Sequence, residues 1–121
     1  MNTALVVDDS KTDLQVVSSY LTQYGITVLT ASNGEEALTT LAQQTPDLIV
    51  LDVVLPDRSG FELCRHIKED TETRQIPVII CSTKGTEMDK FWGMKQGANA
   101  YLEKPVDQTE FSTTVKQLLG T

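Results

Sequence analysis

Cysteine and histidine are scarce in this sequence, which has two cysteines and one histidine among 121 residues. Cys64 and Cys81 form no CxxC motif and have no histidine at metal-binding spacing, so a zinc site or a disulfide framework is not expected. Two isolated thiols are typical of a reducing compartment. The cysteine pattern therefore favours a cytoplasmic protein.

Long apolar runs and clusters of basic residues are also missing. No segment approaches the roughly 18 apolar residues of a membrane span, and the N-terminal segment has no basic region of the signal-peptide type. The formal net charge is −7, and no stretch concentrates lysine and arginine. Because nucleic acids and anionic membranes attract basic surfaces, we expect neither nucleic-acid binding nor membrane insertion.

The sequence does contain a regular alternation of apolar and amphipathic segments. No linker, repeat or low-complexity stretch interrupts it, so residues 1–121 are predicted to form a single domain without an output domain. The predicted strands are residues 4–7, 26–31, 48–54, 76–82 and 100–104. The predicted helices are residues 11–24, 32–44, 61–70, 87–96 and a last one that Asp107, followed by Glu110, is expected to cap. Apolar strands separated by helices predict an α/β fold, a doubly wound five-stranded parallel sheet with helices on both faces.

Polar and charged residues stand where four of these strands end. Asp8 and Asp9 follow the first strand, Asp52 lies toward the end of the third, Ser82 ends the fourth and Lys104 ends the fifth. Ligands of such folds bind beyond the carboxyl ends of the strands. Two carboxylates about 4 Å apart repel by about 4 kcal/mol at an effective dielectric constant near 20, so converging aspartates should take up protons or bind a cation. Oxygen ligands alone favour a hard cation, and a small number of protein ligands with water completing the shell favours Mg²⁺.

Each of these residues also has a simpler explanation. Asp8 and Asp9 could cap the first helix, Ser82 could be an ordinary hydroxyl at the end of a strand, and Lys104 could be a solvated charge. Asp52 is the hardest to explain in this way, because a charge within an apolar strand is rarely left unpaired. Together the residues indicate phosphoryl transfer to an aspartate, in which a carboxylate attacks and cations neutralise the phosphoryl oxygens.

Over essentially its whole length, the chain resembles the receiver domain of two-component response regulators, the CheY-like family. The motifs "VVDDS", "LIVLDVVLPDRSG", "PVIICST" and "GANAYLEKP" carry this resemblance in the family's order and spacing. It implies a flavodoxin-like sheet of order 2-1-3-4-5 and a cis peptide between Lys104 and Pro105. It also implies roles for individual residues: Asp52 as phosphoacceptor, Asp8, Asp9 and the Val54 backbone carbonyl as further Mg²⁺ ligands beside Asp52, Ser82 as switch hydroxyl, Lys104 as phosphate contact and Tyr101 as switch aromatic.

The resemblance further implies a function and partners. A histidine kinase would donate its phosphoryl group to Asp52, and a downstream protein would bind the face formed by the fourth helix, fifth strand and fifth helix. The chain would then be a signalling module that catalyses only its own phosphorylation and dephosphorylation. A phosphate sink for another regulator and a metal-dependent aspartyl phosphotransferase enzyme are the alternatives. The segment 81–102 resembles single-domain receivers of type IV pilus motility and phototaxis systems, which suggests a role in motility.

Two further expectations concern single segments. Val54 is apolar and Lys84 is basic, and in the family these positions flank the water that hydrolyses the acyl phosphate. Since neither side chain can accept a hydrogen bond from that water, we expect a long-lived phosphorylated form.

In the fourth helix, helical spacing predicts that Phe91 and Met94 face the core, with an aromatic contact surface for partners as the alternative.

Overall fold

The computed structural model describes residues 2–120, which form five strands and five helices in strict alternation. The strands are β1 (Thr3–Val7), β2 (Thr27–Ala31), β3 (Leu48–Leu51), β4 (Val78–Ser82) and β5 (Ala100–Glu103). The helices are α1 (Lys11–Gln23), α2 (Gly34–Gln43), α3 (Gly60–Glu69), α4 (Glu87–Lys95) and α5 (Gln108–Leu119). None of the helices among these residues is long and apolar enough to span a bilayer.

All strand pairs are parallel, and the sheet order is β2-β1-β3-β4-β5. Val7 pairs with Leu51 at the carboxyl ends of β1 and β3, which are neighbours at the centre of the sheet. The strand order reverses between these two strands, so their loops diverge and leave a cleft. The predicted fold and strand order are therefore confirmed.

Successive residues of the central strands point to opposite faces of the sheet, and each face is apolar. Leu5 and Ile49 belong to a cluster with α2 and α3, whereas Val6 and Val50 belong to a cluster with α1 and α5. Burial on both faces explains why the strands read as unbroken apolar runs rather than as an alternation of apolar and polar residues.

The third strand ends earlier than predicted, at Leu51 rather than at residue 54. Asp52 is the first residue after it, and its Oδ1 accepts hydrogen bonds from the backbone N–H of Val53, at 2.7 Å, and of Val54, at 3.4 Å. The backbone N–H of Asp52 still donates to the Val7 carbonyl, at 3.1 Å, and beyond this bond the Asp52 side chain takes the place of a sheet partner for the backbone. Asp52 therefore lies at the mouth of the sheet and not within an apolar strand.

The residue that caps α1 is Ser10, and not Asp8 or Asp9 as the simpler explanation of these aspartates required. Ser10 caps α1 by accepting from the backbone N–H of Asp13, while Asp8 accepts from the backbone N–H of Ser10. Asp8 and Asp9 thus precede the cap and are available for other contacts. Asp107 caps α5 as expected, by accepting from the N–H of Glu110.

The prediction that Phe91 and Met94 pack into the core is wrong. Gly93 is the buried residue of α4, and the helix leaves four large apolar side chains exposed. Their exposed fractions are 73% for Met88, 59% for Phe91, 50% for Trp92 and 47% for Met94. Helical spacing could not reveal this, because the helix approaches the sheet through a residue that has no side chain.

Candidate acidic site at the carboxyl edge of the sheet

The ends of β1, β3 and β5 bring three of the predicted residues into direct contact. Asp8 follows β1, Asp52 follows β3 and Lys104 follows β5. The backbone N–H of Lys104 donates to the carbonyl of Ser82 at 2.9 Å, which continues the pairing of β5 with β4 beyond the strand. The Lys104–Pro105 peptide is cis, as expected.

The Lys104 ammonium lies at the centre of this arrangement. It donates to Asp8 Oδ2 at 2.7 Å, to Asp13 Oδ2 at 2.8 Å and to Asp52 Oδ2 at 3.2 Å. Only 8% of the lysine side chain is exposed. An ammonium has three N–H donors, so these three carboxylates can satisfy it completely.

Asp8, Asp9 and Asp52 form a group suited to a hard divalent cation. One carboxylate oxygen from each lies within 4.8 Å of the others. Asp8 and Asp52 are buried, and Asp9 is exposed. Three carboxylates with space for water on the exposed side are a donor set that fits Mg²⁺. The Val54 carbonyl stays a prediction as a further ligand.

Burial dominates the electrostatics of Asp8. It raises the pKa of this carboxyl, and the hydrogen bond from Lys104 only partly opposes the shift. For Lys104 itself, burial acts to lower the pKa, but hydrogen bonds to Asp13 and Asp8 outweigh it and the pKa is raised. Lys104 is therefore a permanent cation at neutral pH. Since the one ammonium faces several carboxylates, a second cation bound among Asp8, Asp9 and Asp52 would reduce the remaining repulsion between them.

Gly60 supports the backbone that presents Asp52. Its N–H donates to the Val53 carbonyl at 2.7 Å. A Cβ at this position would lie 1.9 Å from the Asp52 carbonyl oxygen, a distance no side chain can adopt. The first turn of α3 therefore approaches the β3–α3 loop as closely as only glycine permits.

Ser82 and Tyr101 both contact the backbone of Lys84. Ser82 Oγ accepts from the backbone N–H of Lys84 at 3.2 Å, and the Tyr101 hydroxyl donates to the Lys84 carbonyl. Ser82 is fully buried. Burial, together with the Asp89 and Asp52 carboxylates, raises the pKa of Tyr101 to about 12, so the phenol stays protonated above the pH at which a free tyrosine ionises.

Gly93 makes room for the Tyr101 ring. A Cβ at Gly93 would lie 2.7 Å from the ring and 3.1 Å from the Ile80 side chain. A glycine within a helix costs about 1 kcal/mol relative to alanine, and here it allows α4 to lie directly over Tyr101.

The sequence reasoning missed Asp13, Gly60 and Gly93. An acid in the first turn of a helix is usually explained by the helix dipole, so Asp13 carried no separate signal. The residues around Gly60 indicate only a turn, and those around Gly93 indicate only a helix. The importance of all three depends on atoms that are distant in sequence.

Comparison with known proteins assigns the class. The family model for the response regulator receiver domain matches residues 4–116, so the chain belongs to that family and is a receiver domain of a two-component system. It is 41% identical to protein PilH of Pseudomonas aeruginosa over 116 residues, which is 96% of each chain. It is also 37% identical to the response regulator PleD of Caulobacter vibrioides over 114 residues, but spans only 25% of that protein.

Solved structures agree with this assignment. A putative response regulator from Chloroflexus aurantiacus has a TM-score of 0.94 at 33% identity, with 99% of this chain and 98% of that chain covered. The receiver domain of the sensor histidine kinase PA1611 from Pseudomonas aeruginosa has a TM-score of 0.90 at 25% identity, with 99% and 98% covered. That structure has a magnesium ion coordinated in its active site cleft.

Proposed function

We propose that this receiver accepts a phosphoryl group from a histidine kinase on Asp52, with Mg²⁺ bound, and then alters the surface that it offers to a downstream protein. The contact of the buried Lys104 ammonium with both Asp8 and Asp52 is the observation that supports this most directly. It places a fixed positive charge beside the nucleophile and beside the place where phosphoryl oxygens would lie.

The chemical step uses the Asp52 carboxylate as nucleophile. Oδ1 is held by the N–H groups of Val53 and Val54, and Oδ2 lies beside Lys104. One carboxylate oxygen attacks the phosphorus, an O–P bond forms, and the P–N bond of the donor phosphohistidine breaks. The electron pair returns to the imidazole nitrogen, which is protonated from solvent. Ser82 and Lys104 then contact the phosphoryl oxygens.

Asp8, Asp9, Asp52 and the Val54 carbonyl would hold the Mg²⁺. When bound, the ion neutralises phosphoryl oxygens during transfer. The donor set supports this assignment, since the three carboxylates lie within 4.8 Å of one another. The magnesium ion in the PA1611 receiver supports it by similarity.

Ser82 and Tyr101 form the proposed switch. Both bind the backbone of Lys84, Ser82 at the N–H and Tyr101 at the carbonyl. A phosphoryl group on Asp52 would offer Ser82 a stronger, charged acceptor. Movement of Ser82 toward it would shift the β4–α4 loop and with it the Tyr101 contact.

The downstream partner is proposed to bind the surface of α4, β5 and α5. The four exposed apolar side chains of α4 support an interaction surface that includes this helix. The resemblance of residues 81–102 to receivers of type IV pilus motility systems, together with the 41% identity to PilH, supports a cytoplasmic role in motility signalling, in which the receiver acts by protein contact and catalyses only its own modification.

Phosphorylation can be tested by mass spectrometry. The protein is incubated with acetyl phosphate and Mg²⁺, and the intact mass is measured for wild type, Asp52→Asn and a matched control, Asp47→Asn. Asp47 lies at the opposite edge of the sheet, where it binds the N–H of Thr3. We expect one phosphoryl group on wild type and on the control, and none on Asp52→Asn. An unmodified wild type would refute the proposal.

A further inference from the structure

Three carboxylates hold the Lys104 ammonium, and they differ in their relation to the acidic group. Asp8 and Asp52 belong to the group that could hold a metal, which among residues 2–120 consists of Asp8, Asp9 and Asp52 and does not include Asp13. Asp13 contacts the ammonium as closely as Asp8 does, at 2.8 Å against 2.7 Å. Lys104 thus has one contact outside that group.

Metal binding and phosphorylation would each weaken the contacts of Lys104 with Asp8 and Asp52. A divalent cation among the carboxylates attracts the oxygens of Asp8 and Asp52 and repels the ammonium, because both are positive. A phosphoryl group on Asp52 takes one of its oxygens into a covalent bond. Asp13 is the contact that neither event removes, so it can keep the ammonium from being displaced toward solvent.

The position of Asp13 is suited to holding the Lys104 ammonium in place. Its backbone is fixed in the first turn of α1 by the Ser10 cap, at 3.2 Å. Its side chain is 39% exposed, whereas that of Lys104 is 8% exposed, so Asp13 covers the ammonium from the outer side. The contact joins α1 to the segment after β5 across a sequence separation of 91 residues.

We propose that Asp13 is a positioning residue that holds the Lys104 ammonium beside Asp52 when the acidic group carries a cation and a phosphoryl group. The inference rests on the proposed function. It assigns Asp13 no contact with substrate or metal, because Asp13 acts through Lys104.

Beryllofluoride, a phosphoryl mimic, allows the test without turnover. Its affinity is measured by ¹⁹F NMR at saturating Mg²⁺, and the Mg²⁺ affinity is measured separately by calorimetry. The variants are Asp13→Asn, Lys104→Met, the double variant and a matched control, Glu62→Gln, which removes an exposed acid from the first turn of α3. Urea unfolding without metal verifies that each variant folds.

Asp13→Asn is expected to weaken beryllofluoride binding about tenfold, the effect of replacing a charge-assisted hydrogen bond by a neutral one from the ammonium to the amide oxygen. The Mg²⁺ affinity should change by less than about threefold, because Asp13 is not a ligand. In the Lys104→Met background the same substitution should have almost no effect, since its action requires the ammonium. Glu62→Gln should resemble wild type.

Three results would overturn the inference. They are unchanged beryllofluoride affinity in Asp13→Asn, an equally large loss in the Lys104→Met background, and a loss confined to Mg²⁺ affinity, which would make Asp13 a ligand. If wild type itself bound no beryllofluoride, the proposed phosphorylation would fail and this inference with it. Failure of the Asp13 variants alone would leave the proposed function intact.

Discussion

Replacement of Asp9 by asparagine is expected to stabilise the metal-free protein and to remove most of its stabilisation by Mg²⁺. The Lys104 ammonium contacts Asp8, Asp13 and Asp52, and Asp9 lies outside that set. Without a cation, the Asp9 carboxylate therefore contributes mainly repulsion toward the two buried carboxylates. With a cation, the same charge becomes favourable.

The magnitude follows from the spacing of the carboxylates. At 4.8 Å, the upper limit of their separation, one pair of unit charges repels by about 1 kcal/mol at a dielectric constant near 80 and by about 3.5 kcal/mol near 20. Asp9 is exposed, so the lower value applies to each of its two pairs. The Lys104 ammonium beside Asp8 and Asp52 offsets part of this repulsion, which leaves a net effect of about 1 kcal/mol. For a domain of 121 residues, the unfolding entropy is about 0.25 kcal/mol/K, so about 1 kcal/mol corresponds to about 4 °C in Tm.

In wild type, the stabilisation by bound Mg²⁺ is larger than the repulsion that Asp9 adds to the metal-free protein. At a free concentration about one hundred times Kd, binding to the folded state adds about 2.7 kcal/mol, or about 10 °C in Tm. Asp9→Asn removes one of the three carboxylate ligands and should lose most of this increment at the same concentration. The two effects have opposite signs, which separates them from a general loss of structure.

Calorimetric unfolding of wild type and Asp9→Asn, in EDTA and over a Mg²⁺ titration, is the assay. Glu62→Gln serves as the control for loss of one exposed negative charge. A lower metal-free Tm in Asp9→Asn would refute the repulsion argument. A Mg²⁺ increment equal to that of wild type would refute the assignment of Asp9 to the metal group.

Four further predictions concern other parts of the molecule. Gly60→Ala should destabilise the protein by about 3 kcal/mol in urea unfolding, because its Cβ would overlap the Asp52 carbonyl. Cys64 and Cys81, whose thiol pKa values burial raises to about 11 and about 12, should react with a thiol reagent at pH 8 only after unfolding. Wild type should lose stability relative to Tyr101→Phe as pH rises from 10 toward 12, because the phenol ionises at pH 10 in the unfolded chain but stays protonated in the folded one until about 12. Val54→Asn, at a side chain that is 50% exposed, should release phosphate several-fold faster than wild type in a decay assay with labelled protein, because an amide can orient the attacking water.

Each of these has an outcome that contradicts it. A Gly60→Ala variant as stable as Gly34→Ala would do so, since a Cβ at Gly34 meets only the flexible Arg58 side chain. Rapid labelling of the folded protein would contradict the burial of both thiols. Parallel pH profiles of wild type and Tyr101→Phe would contradict the raised pKa. Equal or slower phosphate release from Val54→Asn would contradict the expected effect on lifetime.

Much of the fold could be predicted from the sequence because its signals are local. Apolar runs of strand length, amphipathic helices and the Asp107 cap depend on residues close together in the chain, and all are present in the structure. The convergence of Asp8, Asp52 and Lys104 also followed from a general property of parallel sheets, whose carboxyl ends meet at one edge. The prediction for α4 failed, because periodicity describes a helix but not the element that covers it.

Local patterns in the sequence are sufficient to predict a five-stranded α/β domain with carboxylates and a lysine at the strand ends. Three features appear only in the folded molecule: β3 stops before Asp52, Asp13 shares the ammonium of Lys104, and Gly93 brings α4 over Tyr101. The contacts of Asp13 and Gly93 join atoms far apart in the chain, and the end of β3 depends on which conformation the Asp52 side chain adopts. Ion-pair geometry, side-chain conformation and close backbone approach are set by packing, and residue spacing does not encode them.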